Sequence, residues 1–201
     1  MKRSAKRRRE LIAQETARLM LEGGIESLPR ARAKALQRSG LPGYGPVVPT
    51  AAEVRRELET RLRLFTPGGC QHVRQRWCKA ALEAMELLAP LVAVAGGAVA
   101  AGLPVPAAKV VLYTAAATPE DLAYHLLDRG VRFSFGHLMV PWGQGEAMVS
   151  AYRLRGQPHE TWVAVLPHTQ WRHNTPLGED GSTLPHMDRA TLQAILEQLP
   201  P

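Results

Sequence analysis

The spacing of apolar residues changes near Pro90, and that change decides what this chain can fold into. Before Pro90 the apolar side chains recur at helical intervals; after it they fall into short runs bounded by Gly and Pro. Residues 4–22 read as an amphipathic helix with Ile12, Thr16, Leu19 and Met20 on one side, ended by Gly23-Gly24. A second helix runs from Leu28 to Arg38. Pro29 sits near its first turn, where a missing N–H costs nothing, and Gly40-Leu41-Pro42 stops it. Residues 41–49 form a turn-rich linker. Thr50-Ala-Ala-Glu53 then has the form of a capping box, in which the Thr hydroxyl and the Glu carboxylate each take an orphan backbone N–H. Val54, Leu58, Leu62 and Phe65 continue that helix to Thr66-Pro-Gly-Gly69. A fourth, from His72 to Leu88, carries Val73, Trp77, Ala81, Ala84 and Leu88 as its buried stripe, and Pro90 closes it.

Beyond Pro90, Leu91–Val94 and Val110–Thr114 read as strands buried on both faces. Thr118-Pro-Glu-Asp121 starts a helix with a cap, an N1 proline and early acids in order. Leu122, Ala123, Leu126 and Leu127 form its inner face, and Gly130 follows as C-cap. Three more strands are expected at Val131–Phe135, Ala147–Leu154 and Thr161–Leu166, with Gly156-Gln-Pro158 turning between the last two. A loop rich in Pro, His and Asn leads to a final helix, Asp188–Leu199. Sixteen Pro and 17 Gly rule out long unbroken helices in this half. The order of elements predicts an α+β protein: a basic helical module over residues 1–89, then a small mixed β-sheet domain over 90–201 with helices on one face.

Charge divides the same way. The first 80 residues hold 18 of the 25 Lys and Arg against 7 acids, a surplus of 11; the remainder carries a deficit of 4. Lys2, Arg3, Lys6, Arg7, Arg8 and Arg9 form a basic arm. Arg30, Arg32, Lys34 and Arg38 face outward on the second helix, while Leu28, Ala31 and Ala35 can pack. Such a footprint calls for an acidic polymer, and nucleic acid is the expected partner, contacted through the backbone. An acidic protein partner would answer the same charge. The Gly23-Gly24 hairpin resembles the helix-turn-helix of tetracycline-repressor-type regulators, but no run of base-reading side chains follows it.

Other classes are excluded on residue grounds. Glu10, Glu15, Arg18 and Glu22 interrupt any signal-peptide core. Leu87–Ala108 runs 22 residues without a charge, yet Pro90, Pro104, Pro106, Gly96, Gly97 and Gly102 break it, so no membrane partner is expected. Cys70 and Cys78 lie eight apart on one helix, roughly 12 Å along its axis and too far for a disulfide. Two reduced thiols predict a cytoplasmic protein.

Gly96-Gly97-Ala98-Val99, a short loop, and then Ala108-Lys-Val-Val-Leu-Tyr113 have a distinctive layout. The stretch resembles the nucleotidyltransferase superfamily of the polymerase-β type. There a Gly-Gly or Gly-Ser turn opens a helix after the first strand, and about ten residues later a second strand carries two carboxylates in alternation. With a third on a later strand, these acids hold two Mg²⁺ ions. The wider chain is similar to bacterial nucleotidyltransferase-like proteins with a helical N-terminal region, through Ala17–Leu41, Leu87–Phe135 and the tail from Gly178 to Leu196. Counted from the glycines, the carboxylate positions of the resemblance fall at Ala108 and Val110, which cannot bind metal, and the charged neighbour Lys109 has the wrong sign. The third position falls near Thr161–Val163, with Glu160 the one acid in reach. The resemblance with these departures implies a degenerate site (Gly96, Gly97, Ala108, Val110) and a pseudoenzyme with no catalytic residue, no metal and no cofactor.

The remaining constellations are weaker. His137, His159, His168, His173 and His186 lack zinc-ligand spacing. A base at His168 or His173 acting with Glu179 or Asp180 is the alternative in which a non-standard active site exists. Gly143-Gln-Gly145 precedes a strand and Gly178–Gly181 is acidic, so neither is a phosphate loop, and Ser182 lacks a nucleophile elbow. Of the tryptophans, Trp162 is expected in the core. Trp171, flanked by Arg172 and His173, is the candidate ligand contact.

Overall fold

The computed structural model describes residues 2–41, 43, 45–65, 69–142, 145–178 and 181–199, and of residues 2–4, 141 and 145 the backbone only. It is an α+β protein with two compact units, Met1–Val73 with Gly102–Ala108, and Arg74–Ala101 with Lys109–Pro201.

In the first unit α1 (Lys2–Leu21) packs on α2 (Leu28–Arg38) and α3 (Ala51–Phe65). The buried side of α1 is Ile12, Ala13, Thr16, Ala17, Leu19 and Met20, the 3.6-residue stripe expected from the sequence. Thr16 is tolerated there because its hydroxyl donates to the Ile12 carbonyl at 2.7 Å. The caps form as their residues dictate. Ser27 accepts the Arg30 N–H, and Thr50 and Glu53 close a reciprocal box, with Thr50 N–H to Glu53 Oε2 at 2.8 Å and Glu53 N–H to Thr50 Oγ1 at 3.2 Å. One expectation fails at the end of α3. Phe65 is 80% exposed, because the buried stripe ends one turn earlier at Leu62. The stop expected at residues 66–68 lies outside the described residues.

The chain passes into the second unit within α4 (Gly69–Leu88), where Trp77, Ala81, Ala84 and Leu88 are buried as expected. The sheet order is β1-β2-β5-β4-β3, formed by β1 (Ala93–Ala95), β2 (Val110–Ala115), β3 (Phe133–Trp142), β4 (Gly145–Leu154) and β5 (Thr161–Leu166). Only β2 and β5 run parallel; the other neighbours are antiparallel. Pairing places Leu112, Val163, Tyr152 and Phe135 on one face, and Tyr113, Ala164, Ala151 and Gly136 on the other. On the first face α6 (Pro119–Asp128) packs against β4 with Leu122 and Leu126 fully buried. On the second, Val94, Tyr113, Leu138, Val140, Leu166 and Leu184 form one apolar cluster, against which Trp171 is laid.

Several boundaries differ from the sequence reading. The first strand begins at Ala93, not Leu91. A four-residue helix, α5 (Gly97–Ala100), stands between β1 and β2. The strand expected at Val131–Phe135 continues to Trp142, making a ten-residue hairpin arm with β4. Its alternation was obscured because Phe135 and Met139 are apolar yet exposed, so both faces read as hydrophobic. Leu127, assigned to the inner face of α6, is 60% exposed. The expected loop near residue 170 contains a small hairpin, β6 (Trp171–Arg172) with β7 (Thr175–Pro176), before α7 (Arg189–Glu197). No helix among the described residues is long and apolar enough to cross a membrane.

Candidate functional site

The basic residues of the first unit divide into those held by acids and those left to solvent. Arg9 Nε lies 2.9 Å from Glu53 Oε1, and Arg38 reaches Glu15 at 3.0 Å. Glu15 also takes a two-pronged contact from Arg18, with both N···O distances 2.8 Å. That hydrogen bond, reinforced by Arg38 and opposed by burial, brings the Glu15 carboxyl down to about 2. Arg32 is half-buried, and desolvation lowers its pKa. Arg9, Arg18 and Arg38 thus tie elements of the unit together through acids. Lys6 keeps only a long contact to Glu10, at 3.9 Å. Arg7, Arg8 and Lys34 are exposed and make no ion pair among the described residues, and Arg30 is exposed on α2. The side chains of Lys2 and Arg3 lie outside what is described. Neither α1 nor α2 has an acid in its first turn. Cations therefore crowd the positive end of the α1 dipole, an unfavourable arrangement that a bound anion relieves.

The second constellation surrounds the glycine turn. Gly96 caps α5, and its N–H donates to the Val111 carbonyl at 2.8 Å. A Cβ on Gly96 would come within 2.3 Å of the Tyr113 ring, so only glycine lets the turn close over that tyrosine. Gly97 takes φ +59°, where glycine is favoured. Burial pushes the Tyr113 hydroxyl up to about 12, opposed by the backbone of Gly97 beside it.

Strand parity then decides which residues can meet this turn. Val111 and Trp162 pair across β2 and β5 on the Tyr113 face, and Val111 touches the Gly97 position. Trp162 donates its indole N–H to Glu160 at 2.8 Å, so Glu160 belongs to this side. Val110 pairs with Thr161 on the opposite face and is fully buried, as is Ala108 nearly. Glu160 is held below the usual carboxylate range, first by Trp162, then by Arg153 at 3.7 Å and by Lys109. Trp162, expected in the core, is half-buried over this cluster. Beside Trp162, on the face that Val111 shares, stand one carboxylate and two cations, a set that among the described residues lacks the paired acids that two-metal chemistry needs.

The histidines do not converge. His168 and His173 are exposed, and Glu179 and Asp180, their expected partners, lie outside the described residues. His159 accepts from Arg76 Nε at 3.1 Å, and burial followed by the Arg76 charge lowers its pKa. His186 Nδ1 lies 2.9 Å from the Leu184 carbonyl. No group of three His, Cys, Asp or Glu able to hold a metal occurs among the described residues. Trp171 packs against the sheet cluster with its N–H buried, whereas Arg172 and His173 are exposed in the β6–β7 turn, His173 at φ 48°. Neither Cys70 nor Cys78 forms a disulfide, and burial raises the Cys78 thiol. A cleft of about 430 Å³ opens beyond the C-terminal ends of β2 and β5, lined by Ala116, Pro119, Trp142, Val149, Pro167 and Gln170. Its lining carries no acid–base pair.

No family model matches the chain, and neither a curated protein nor a solved structure does. What is established is the class: α+β, with a mixed five-stranded sheet.

Proposed function

We propose that the chain is a non-catalytic, nucleotidyltransferase-like protein that binds nucleic acid through its N-terminal helices. The observation that carries this reading is the row of solvent-facing cations at the start of α1, continued by Lys34 on α2, with no acid in the first turn of either helix. A phosphate backbone supplies negative charge to the start of α1, whose first turn holds no acid. Arg9 and Arg38, named with these residues from the sequence, act structurally through Glu53 and Glu15. Specificity for base sequence is not part of the reading, because backbone contacts position a protein without reading bases. The sheet unit supports the non-catalytic half, since Glu160 stands with Trp162, Arg153 and Lys109 rather than with a second acid.

Titration of the whole chain against labelled duplex and single strands over a salt series tests the proposal. With about five phosphates contacted, log K falls against log salt with a slope of about −4 to −5 on duplex DNA. A slope near zero, or binding only to an acidic protein and to no nucleic acid, overturns it. Mg²⁺-dependent transfer from a nucleoside triphosphate that Glu160→Gln abolishes would overturn the non-catalytic half.

A further inference from the structure

The sheet ends in two unlike edges. β1 is three residues long and its outer side is occupied, since Ala95 and Met187 exchange N–H···O bonds of 2.8 and 2.9 Å. β3 is ten residues long, and among the described residues no strand pairs with its outer side. Its register with β4 runs from Phe133↔Leu154 to Trp142↔Gly145 without a slip, so no bulge bends this edge away.

The groups that face outward follow from the ladder. Arg155 donates its N–H to the Arg132 carbonyl at 2.7 Å in the same register, so the even-numbered residues bond β4. Phe133, Phe135, His137 and Met139 therefore turn their N–H and C=O groups outward. Pro141 falls in this outward row, the one place where its missing N–H leaves the β4 pairing intact. The side chains of the row share the Tyr152 face. Phe135 is 56% and Met139 45% exposed, and Met148, across from Met139, is 69% exposed. Phe135 meets Tyr152 and His137 edge-on, with centroids 5.4 and 5.2 Å apart. None of the ten residues of β3 is charged.

Proteins ordinarily blunt such an edge with lysines, a bulge, shortness or a cover; β3 is long, uncharged and regular. We infer that β3 pairs antiparallel with β3 of a second copy about a two-fold axis at His137, joining two sheets into one. The occupant is chosen by the strand itself. A two-fold at His137 sets Phe135 opposite Met139, an aromatic–thioether contact, and Phe133 opposite Pro141, whose carbonyl receives the Phe133 N–H. About eight main-chain hydrogen bonds result. Charge makes the same choice. In a chain of net charge +7, two copies meet most readily where no Lys or Arg faces its own image, and a strand without Lys or Arg offers nucleic acid no ion pair with its phosphates.

Sedimentation of the full, nuclease-treated chain across micromolar concentrations tests the inference, with a reversible monomer–dimer equilibrium expected. His137→Lys places like charges opposite each other only in the dimer, and should weaken association on the order of 100-fold. Its melting temperature as a monomer should be unchanged, because the side chain is exposed. In a Cys70→Ser background, His137→Cys should cross-link under mild oxidation, since facing Cα atoms about 5.5 Å apart lie within disulfide reach. Met148→Cys, one strand further from the axis, should not. A chain that stays monomeric, a dimer indifferent to His137→Lys, or a dimer that cross-links through position 148 and not 137 overturns the inference.

Discussion

The helical unit and the sheet unit present different chemistry to solvent. Around α1 and α2 the exposed groups are long cationic side chains, partly countered by Glu10, Glu15 and Glu53. Around β3 they are apolar side chains and a row of backbone N–H and C=O groups, with no charge over ten residues. The first surface attracts at long range, tolerates variation in geometry and weakens with salt. The second acts only on contact, depends on register and is nearly indifferent to salt. Two surfaces of such different physics can serve two kinds of association without competing.

The largest effect that would separate them is electrostatic. Reversing Arg7, Arg8 and Lys34 together to Glu should lower nucleic-acid affinity on the order of 100-fold near 0.1 M salt and flatten the salt slope by about 3, measured by fluorescence anisotropy. Dimerisation through β3 should change little; a comparable loss there would break the division. Next comes packing in the sheet unit. Gly96→Ala drives a methyl into the Tyr113 ring and should cost about 1–3 kcal/mol in denaturant unfolding, without altering the salt slope. An unchanged midpoint would show that the turn closes over Tyr113 less tightly than described. Smaller still is the cap of α6, where Thr118 and Asp121 satisfy each other's backbone N–H. Thr118→Ala should cost about 1 kcal/mol by the same measurement.

The smallest effect is the pH response of the helical unit. Glu15 has an ordinary value of 4.5, brought down to about 2 in the fold by Arg18 and Arg38. Its pairing therefore stabilises the unit above about pH 4.5, and that contribution disappears as pH falls toward 2. The loss should be under about 1 kcal/mol, because the arginines are largely in water. Glu15→Gln should remove this part of the acid sensitivity; an unaltered acid limb would assign it to other carboxylates.

Legibility in the sequence followed the range of the interactions. The caps at Thr50 and Thr118 and the stripes of α1 and α4 were readable because each is decided within a few residues, as the cap at Ser27, which the reading passed over, also is. The charge surplus was readable as a sum, but its division between struts and solvent was not. Arg38 meets Glu15 across 23 positions, and Arg9 meets Glu53 across 44. The glycine turn was visible as a motif. Counting along the chain reached Ala108 and Val110, whereas the pleat sets Val111 against the turn, with Trp162 and Glu160 on the same sheet face. A strand reverses its side chains at every residue, so a count is informative only when its parity is anchored to a paired neighbour.

The sequence by itself determined the α+β class, the basic front half and the local signals that start and stop the helices, since all three rest on composition, period and short-range hydrogen bonding. Tertiary structure alone decided which cations remain exposed, which side of β2 meets Gly97, and that β3 is an open edge while β1 is closed by Met187. Those outcomes depend on strand order and on partners far apart in the chain, and an edge strand carries no residue code that marks it as one.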